Sequence, residues 1–191
     1  MTLKVYINGW FLKRAMTGTS RVAQEILTQW NTWLGQNKDL RSRVEFTILQ
    51  PDNDCRRLHL HHIPQKVRTV AGGRVWQLVD LPLAARDGVL LGFANLGPVF
   101  HPSSVVYMHD AHPFEPLAPM EWGARTKLKA LMKLTALGAK RIITVSEYSA
   151  TRLEHAGLAK VKAITVIHNG ADHLKRAEDQ DADLSALGLT P

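Results

Sequence analysis

Short runs of apolar residues alternate along the chain with longer segments in which apolar residues recur every three or four positions. The short runs predict seven strands, over residues 3–8, 44–49, 66–70, 88–92, 105–108, 140–145 and 163–167. The longer segments predict helices over residues 20–35, 74–81, 120–137 and 147–157. Strands that alternate with helices are typical of an α/β fold, so we expect a doubly wound, mostly parallel sheet with helices on both faces.

Residues with strong local preferences set several of these boundaries. Thr19 or Ser20 is expected to cap the first helix, and Ser146 is expected to cap the last one. Pro82 is expected to end or kink the second helix, because proline cannot donate the backbone hydrogen bond of a helix interior. Residues 71–73, Ala-Gly-Gly, are expected to form a turn.

The strand predicted over residues 105–108 is followed by ionisable side chains at His109, Asp110 and His112. In an open parallel sheet, ligands bind at the carboxyl ends of the strands. We therefore expect His109, which comes directly after the strand, to belong to a functional site. His109, Asp110 and His112 could form a metal site with ligands from the loop histidines near residue 60, but none is expected. No H-x-x-x-H pattern lies on a helix, and the two histidine clusters have no fixed relation to each other. Three further histidines share a loop and are expected to be solvated: His59, His61 and His62.

The loop between the first strand and the first helix contains Gly9 and Gly18, but it has neither a G-x-G-x-x-G pattern nor G-K-[ST]. This argues against a nicotinamide-dependent oxidoreductase and against a P-loop enzyme. A glycine just before a helix can bring an anion to the helix N-terminus, which carries about half a positive charge. The alternative is a turn that requires glycine for structural reasons.

Twenty-four basic and seventeen acidic residues give the chain a net charge of +7, which favours anionic partners. The helix predicted over residues 120–137 carries Arg125, Lys129 and Lys133 at intervals of four, so they form one stripe roughly opposite its Leu/Met face. Such a stripe is either a solvated face or a contact with an anionic membrane. No aromatic residues are interleaved with the basic ones, so nucleic acid is not expected as a partner.

Other features of the composition bear on location and domain organisation. Cys55 is the single cysteine, so no internal disulfide can form, and its place in a loop predicts an inert thiol. The chain has no signal peptide and no run of about 18 apolar residues, and we expect a cytoplasmic protein. Residues 173–191 are acidic and rich in small side chains, which predicts a linker after one domain over residues 1–172.

Five short motifs follow one another along the chain. They are Gly9 with Thr-Gly-Thr-Ser-Arg-Val-Ala at 17–23, Val-Trp-Gln-Leu-Val-Asp-Leu-Pro at 75–82, Met-His-Asp at 108–110, Ile-Thr-Val-Ser-Glu-Tyr-Ser at 143–149 and Val-Ile-His-Asn-Gly-Ala-Asp at 166–172. In this order they resemble the N-terminal half of the family-4 glycosyltransferases of GT-B fold, over nearly all of residues 3–173. The resemblance implies a Rossmann-like domain, one of the two such domains in a GT-B enzyme.

The function that the resemblance implies is a retaining, metal-independent hexosyltransferase of polysaccharide biosynthesis. It uses a nucleotide-sugar as co-substrate and no further cofactor. In that family the N-terminal domain holds the sugar acceptor, here expected to be a glycan or a lipid-linked molecule, and the C-terminal domain holds the nucleotide-sugar donor. Together with the membrane hypothesis above, this places the protein in the cytoplasm or peripherally at the inner membrane face.

The resemblance also implies roles for individual residues. His109 is similar to the family histidine that hydrogen-bonds the donor sugar near the reacting carbon. Gly18 and Thr19 are implied to face the donor diphosphate, and Asn169 with Gly170 resembles the crossing into the second domain. Further implied substrate-binding residues are Arg21, Asp110, Ser146 and Glu147.

The chain ends at Pro191, where the donor domain of the family would begin. The resemblance therefore implies one half of an enzyme, which we expect to fold on its own but not to catalyse transfer without a C-terminal domain. The alternative function is a non-catalytic Rossmann-like module that binds a glycan or a partner.

Overall fold

A computed structural model of the chain describes residues 2–13, 15–70, 75–116, 119–158 and 164–171. The strands in this part are β1 (Leu3–Asn8), β2 (Val44–Gln50), β3 (Gln65–Val67), β4 (Val89–Gly92), β5 (Ser104–Tyr107), β6 (Arg141–Thr144) and β7 (Ile164–Val166). The α-helices are α1 (Gly18–Gln36), α2 (Lys38–Arg43), α3 (Val75–Leu78), α4 (Asp80–Ala84), α5 (Trp122–Gly138) and α6 (Glu147–His155), and short 3-10 helices cover Gly9–Lys13 and His112–Phe114. The turn expected at 71–73 and the linker expected at 173–191 lie outside the described residues.

The strands form one sheet in the order β3-β2-β1-β4-β5-β6-β7, and each hydrogen-bonded pair of neighbours is parallel. The doubly wound α/β sheet is confirmed, with parallel pairing between all the described strands. The chain order reverses between β1 and β4, which is the switch point beside which ligands bind in such sheets. Because the strands point the same way, their carboxyl ends all lie at one edge.

Successive residues of each strand are buried on opposite faces of the sheet. Leu91 of β4 packs on one face with Leu27 of α1. Its neighbour Leu90 packs on the other face with Trp76 of α3, and farther along that face the sheet is covered by Met132 of α5. Helices therefore cover both faces, as the sequence predicts. Among the described helices, none is both long and apolar enough to cross a membrane.

Helix α1 begins earlier than the sequence predicts. Thr17, and not Thr19 or Ser20, is its N-cap, because the Thr17 side chain accepts a hydrogen bond of 3.3 Å from the Ser20 amide. Gly18 and Thr19 are already helical, whereas the first buried residue of the helix is Ser20. The apolar pattern marks only where the buried face begins. Ser146 caps α6 as predicted, and its side chain accepts a backbone hydrogen bond of 3.1 Å.

The helix expected before Pro82 is divided into two short helices. The division lies at Val79, whose φ of −121° and ψ of −65° are not helical, and Pro82 is the third residue of α4. Amides in the first turn of a helix have no partner within the helix, so proline is tolerated there. The prediction that Pro82 ends or kinks the helix is therefore wrong, because the residue lies within the first turn of the next one.

The basic stripe of α5 faces the loop that follows β5. The Arg125 guanidinium donates hydrogen bonds to three backbone carbonyls of residues 113–116, among them one of 2.8 Å. The ammonium groups of Lys129 and Lys133 lie 5.5 Å and 6.0 Å from the centre of the Phe114 ring. The interpretation of this stripe as a solvated face is wrong for Arg125, whose guanidinium holds the loop against the helix, whereas Lys133 is exposed.

We predict that Gly138→Ala lowers the free energy of unfolding by about 1–3 kcal/mol, the usual cost of overpacking a close contact. A Cβ at Gly138, the last residue of α5, would overlap the carbonyl oxygen of Val99. Gly18→Ala is the matched control, because a Cβ at Gly18 meets no heavy atom within 4 Å. Urea denaturation measures both variants, and a Gly138→Ala variant as stable as the wild type would contradict the prediction.

Candidate functional site

A cavity of about 680 Å³ opens between the N-terminal half of α1 and the segment that follows β7. Its lining residues are Met16, Thr17, Gly18, Arg21, Val22, Glu25, Ile26, Gln29, Tyr107, Ile167, His168, Asn169 and Gly170. Four of the predicted site residues are among them, namely Gly18, Arg21, Asn169 and Gly170. The other five do not line the cavity: Thr19, His109, Asp110, Ser146 and Glu147.

The first turn of α1 presents backbone to the cavity. A Cβ at Gly18 would meet no heavy atom within 4 Å, so the fold does not require glycine at this position. The structural requirement lies instead at Gly9, where a Cβ would overlap the carbonyl oxygen of Leu49. Of the two interpretations of Gly18, the turn that needs glycine is therefore wrong. The open first turn can receive an anion, because helix N-termini offer unpaired amides and partial positive charge.

Arg21 and Glu25 place opposite charges on the α1 wall of the cavity. The Arg21 side chain is exposed and makes no hydrogen bond or ion pair with a described residue. It lies in the first turn of α1, where its guanidinium adds to the positive end of the helix dipole. This end of the cavity is therefore the part most favourable to an anion.

His109 lies directly after β5 and is only 8% exposed. Its Nε2 is 2.9 Å from the carbonyl oxygen of Phe93, and since a carbonyl can only accept, Nε2 carries the proton. No described residue forms a hydrogen bond with Nδ1, which is left as an acceptor. Burial lowers the pKa of His109, so the ring is neutral near pH 7.

Asn95 fixes the backbone at His109. Its φ of 57° is in the left-handed region, which asparagine tolerates better than most residues. The side-chain Oδ1 of Asn95 accepts a hydrogen bond of 2.6 Å from the backbone N–H of His109. The backbone N–H of Asn95 donates a hydrogen bond of 3.1 Å to the Tyr107 carbonyl. Asn95 is a positioning residue that the sequence pattern did not predict. The available signal was an asparagine just after a buried strand and ahead of a Leu-Gly-Pro loop.

Tyr107 connects His109 to the cavity. Its ring centre lies 4.9 Å from that of His109, and its hydroxyl donates a hydrogen bond of 2.9 Å to the carbonyl of Ile167. Burial raises the pKa of Tyr107, so the hydroxyl stays protonated and remains a donor. The end of β5 is therefore fixed to the segment after β7, and the cavity and the histidine share one wall.

The remaining predicted residues lie along the same edge of the sheet, outside the cavity. Asp110 is exposed, and its Oδ1 accepts a hydrogen bond of 3.0 Å from the His112 amide. The Ser146 hydroxyl caps α6, and Glu147 is the exposed first residue of that helix. Asp110 and Ser146 thus stabilise local turns at the ends of β5 and β6. Within the described ranges, no three His, Cys, Asp or Glu side chains are placed to hold a metal ion.

Comparison with known proteins gives one match. A family model described as Glycosyltransferase Family 4 matches residues 84–174, a span that begins in α4 and continues through β7 to the cavity residues Asn169 and Gly170. The matched span includes His109 and Asn95, whereas Gly18 and Arg21 precede it. No curated protein and no solved structure matches the chain.

We predict that the wild type loses more unfolding free energy between about pH 7.5 and about pH 5.5 than His109→Gln does. The unfolded chain keeps the ordinary histidine pKa near 6.5, whereas burial lowers the pKa in the folded state. The unfolded chain therefore binds the proton first, so stability contributed by neutral His109 is present above pH 6.5 and is lost below it. Urea denaturation at several pH values measures this, with His112→Gln as an exposed control. Parallel pH profiles for wild type and His109→Gln would be inconsistent with it.

Proposed function

Because the chain contains a glycosyltransferase family 4 domain, we propose that the protein transfers a sugar from a nucleotide-sugar to a glycan or lipid-linked acceptor, with retention at the anomeric carbon. The described domain is then the acceptor-side half. Asn169 and Gly170, which line the cavity, lead toward the donor-binding half. The family match supports glycosyl transfer as the class of activity, and the site supports the more specific assignments.

One juxtaposition carries this proposal. The first turn of α1, the segment after β7 and the end of β5 meet around one cavity at the carboxyl edge of the sheet. Tyr107 belongs to the cavity wall and contacts the His109 ring at the same time. A donor whose diphosphate lies at the α1 N-terminus can therefore direct its sugar toward His109.

The chemistry of glycosyl transfer fits the charges of this site. As the bond to the diphosphate breaks, negative charge grows on the leaving group and positive charge grows on the sugar ring. The α1 N-terminus and Arg21 stabilise the first of these charges. His109, kept neutral by burial, accepts a hydrogen bond from a sugar hydroxyl through Nδ1. It thereby orients the sugar ring without adding positive charge beside the developing cation.

A non-catalytic binding module is the second candidate. It is favoured by the local roles of Asp110 and Ser146, whose polar atoms already serve a turn and a helix cap. A module would bind a glycan in the cavity without releasing nucleoside diphosphate from any nucleotide-sugar. Turnover therefore separates the two candidates, whereas glycan binding alone does not.

We also propose that the outer side of α5 rests on an anionic membrane that carries the acceptor. Residues 122–141 contain no acidic side chain. Trp122 and Leu137 are 80% and 74% exposed, and Lys127 is exposed on the same helix. Exposed aromatic and aliphatic residues that accompany lysines are typical of helices at a membrane interface. Trp122 lies three residues before Arg125 and Leu137 lies four residues after Lys133, so this contact extends the basic stripe at both of its ends.

We predict that replacing Leu134 and Leu137 together with serine lowers binding to anionic vesicles. The binding should be weak and should fall with salt, because each basic residue near the surface contributes about 1 kcal/mol. Sedimentation with anionic and neutral vesicles at low and high salt measures it. Leu83→Ser is the matched control, since Leu83 is 62% exposed on α4. Equal loss in the control, or equal binding to neutral vesicles, would rule out this face.

We predict that His109→Ala lowers sugar transfer by the natural full-length protein roughly 10- to 1000-fold, the scale of losing one group that acts at the transition state. Release of nucleoside diphosphate from a panel of nucleotide-sugars measures transfer, and a urea curve establishes that the variant is folded. His112→Ala is the control and should retain activity. A folded His109→Ala variant with wild-type turnover would show that the histidine is structural only.

A further inference from the structure

Arg56, in the loop after β2, carries a positive charge that the described chain leaves without a counter-charge. Its Nε and Nη2 are buried and have no hydrogen-bond partner. Its Nη1 has two weak and neutral neighbours, the Gln24 Oε1 at 3.5 Å and the Met16 sulfur at 3.8 Å. None of the ion pairs between described residues includes Arg56.

Two buried guanidinium nitrogens without hydrogen-bond partners are costly. Arginine stays charged at physiological pH, and burial of a charge without a partner is unfavourable. The backbone nevertheless holds the residue in place, because the Arg56 amide donates to the Leu12 carbonyl at 3.0 Å and its carbonyl accepts from Gln65 at 3.2 Å. The loop thus keeps a guanidinium with two unpartnered nitrogens at a defined position.

The position of this cation is directly behind the cavity wall. Met16, whose sulfur lies 3.8 Å from the Arg56 Nη1, lines the cavity, and Gln24 lies on α1 three residues after Arg21. The cavity side of the same helix turn carries the exposed Arg21 guanidinium. A displacement of the Met16 side chain would join the two guanidinium groups around the open first turn of α1.

We propose that Arg56 binds an oxyanion, a phosphate or a carboxylate, of the molecule that occupies the cavity, and that the Met16 side chain moves aside to admit it. The planar fork of a guanidinium matches two oxygens of either group, which would satisfy the buried Nε and Nη2 together. This deepens the proposed function by giving the bound substrate an anionic group, and it rests on that function only for the identity of the substrate. Anion binding itself requires no sugar transfer.

The test uses three probes at constant ionic strength: inorganic phosphate, pyrophosphate and malonate. Calorimetry and thermal unfolding of the wild type should show saturable binding and a raised Tm with at least one of them. Binding of phosphate indicates a phosphorylated acceptor, binding of malonate a carboxylated one, and binding of pyrophosphate alone the donor diphosphate. A wild type that binds none of the three overturns the proposal and leaves the transfer assay of the proposed function unaffected.

Variants of neighbouring arginines assign the site. Arg56→Gln should weaken binding at least 10-fold, Arg56→Lys should weaken it less because the charge remains, and Met16→Ala should bind as tightly as the wild type or more tightly. Arg57→Gln is the matched control, since Arg57 is the adjacent residue and is exposed. Equal losses in Arg56→Gln and Arg57→Gln would indicate a general effect of charge and overturn the proposal.

Stability without ligand distinguishes a binding role from a structural one. Arg56→Met removes the uncompensated charge and keeps an unbranched apolar stem, so its urea midpoint without ligand should equal or exceed that of the wild type. A lower midpoint would mean that the guanidinium supports the fold, which overturns the proposal even where anion binding is also lost.

Discussion

The parallel direction of the strands determines where polar chemistry lies in this protein. A sheet with helices on both faces has no room for unpaired polar groups along its strands, so they accumulate where the strands end. Because the strands share one direction, those ends form a single edge. The groups that follow β1, β5 and β7 are distant in the sequence and become neighbours there. The cavity is a consequence of this topology, with α1 and the segment after β7 as its two sides.

At that edge, a short series of contacts fixes the position of the His109 side chain. Asn95 brings the loop after β4 onto the backbone of β5, and its left-handed conformation makes that approach possible. The Phe93 carbonyl then accepts a hydrogen bond from the Nε2–H of His109, and Nδ1 of the ring is left as an acceptor. The Tyr107 hydroxyl connects this end of β5 to the segment after β7 through its hydrogen bond to the Ile167 carbonyl. Each contact restricts the next, so a loop histidine acquires the fixed orientation that a rigid strand would give it.

Strand positions and the doubly wound sheet could be predicted from the sequence because they depend on local apolar pattern. Ser146 as a helix cap followed for the same reason. Thr17 and Pro82 were misjudged because cap position and proline tolerance depend on where a helix begins, which apolar residues mark only approximately. The interaction of Arg125 with backbone carbonyls could not be predicted, since it requires the path of a loop. The cavity likewise depends on tertiary contacts between distant segments.

Three arginines of the chain differ in whether their guanidinium donors have hydrogen-bond acceptors. Arg125 donates to three carbonyls of one loop, and Arg152 forms a two-point contact with Glu115 at 2.7 Å and 2.6 Å. Both serve the packing of the loop after β5, and in both the donors are matched by acceptors. Arg56 is positioned by its backbone just as firmly, yet its buried donors have no acceptor. The chain therefore supplies acceptors where a guanidinium has a structural role. Their absence at Arg56, next to a residue that lines the cavity, is the observation on which the proposed anion site rests.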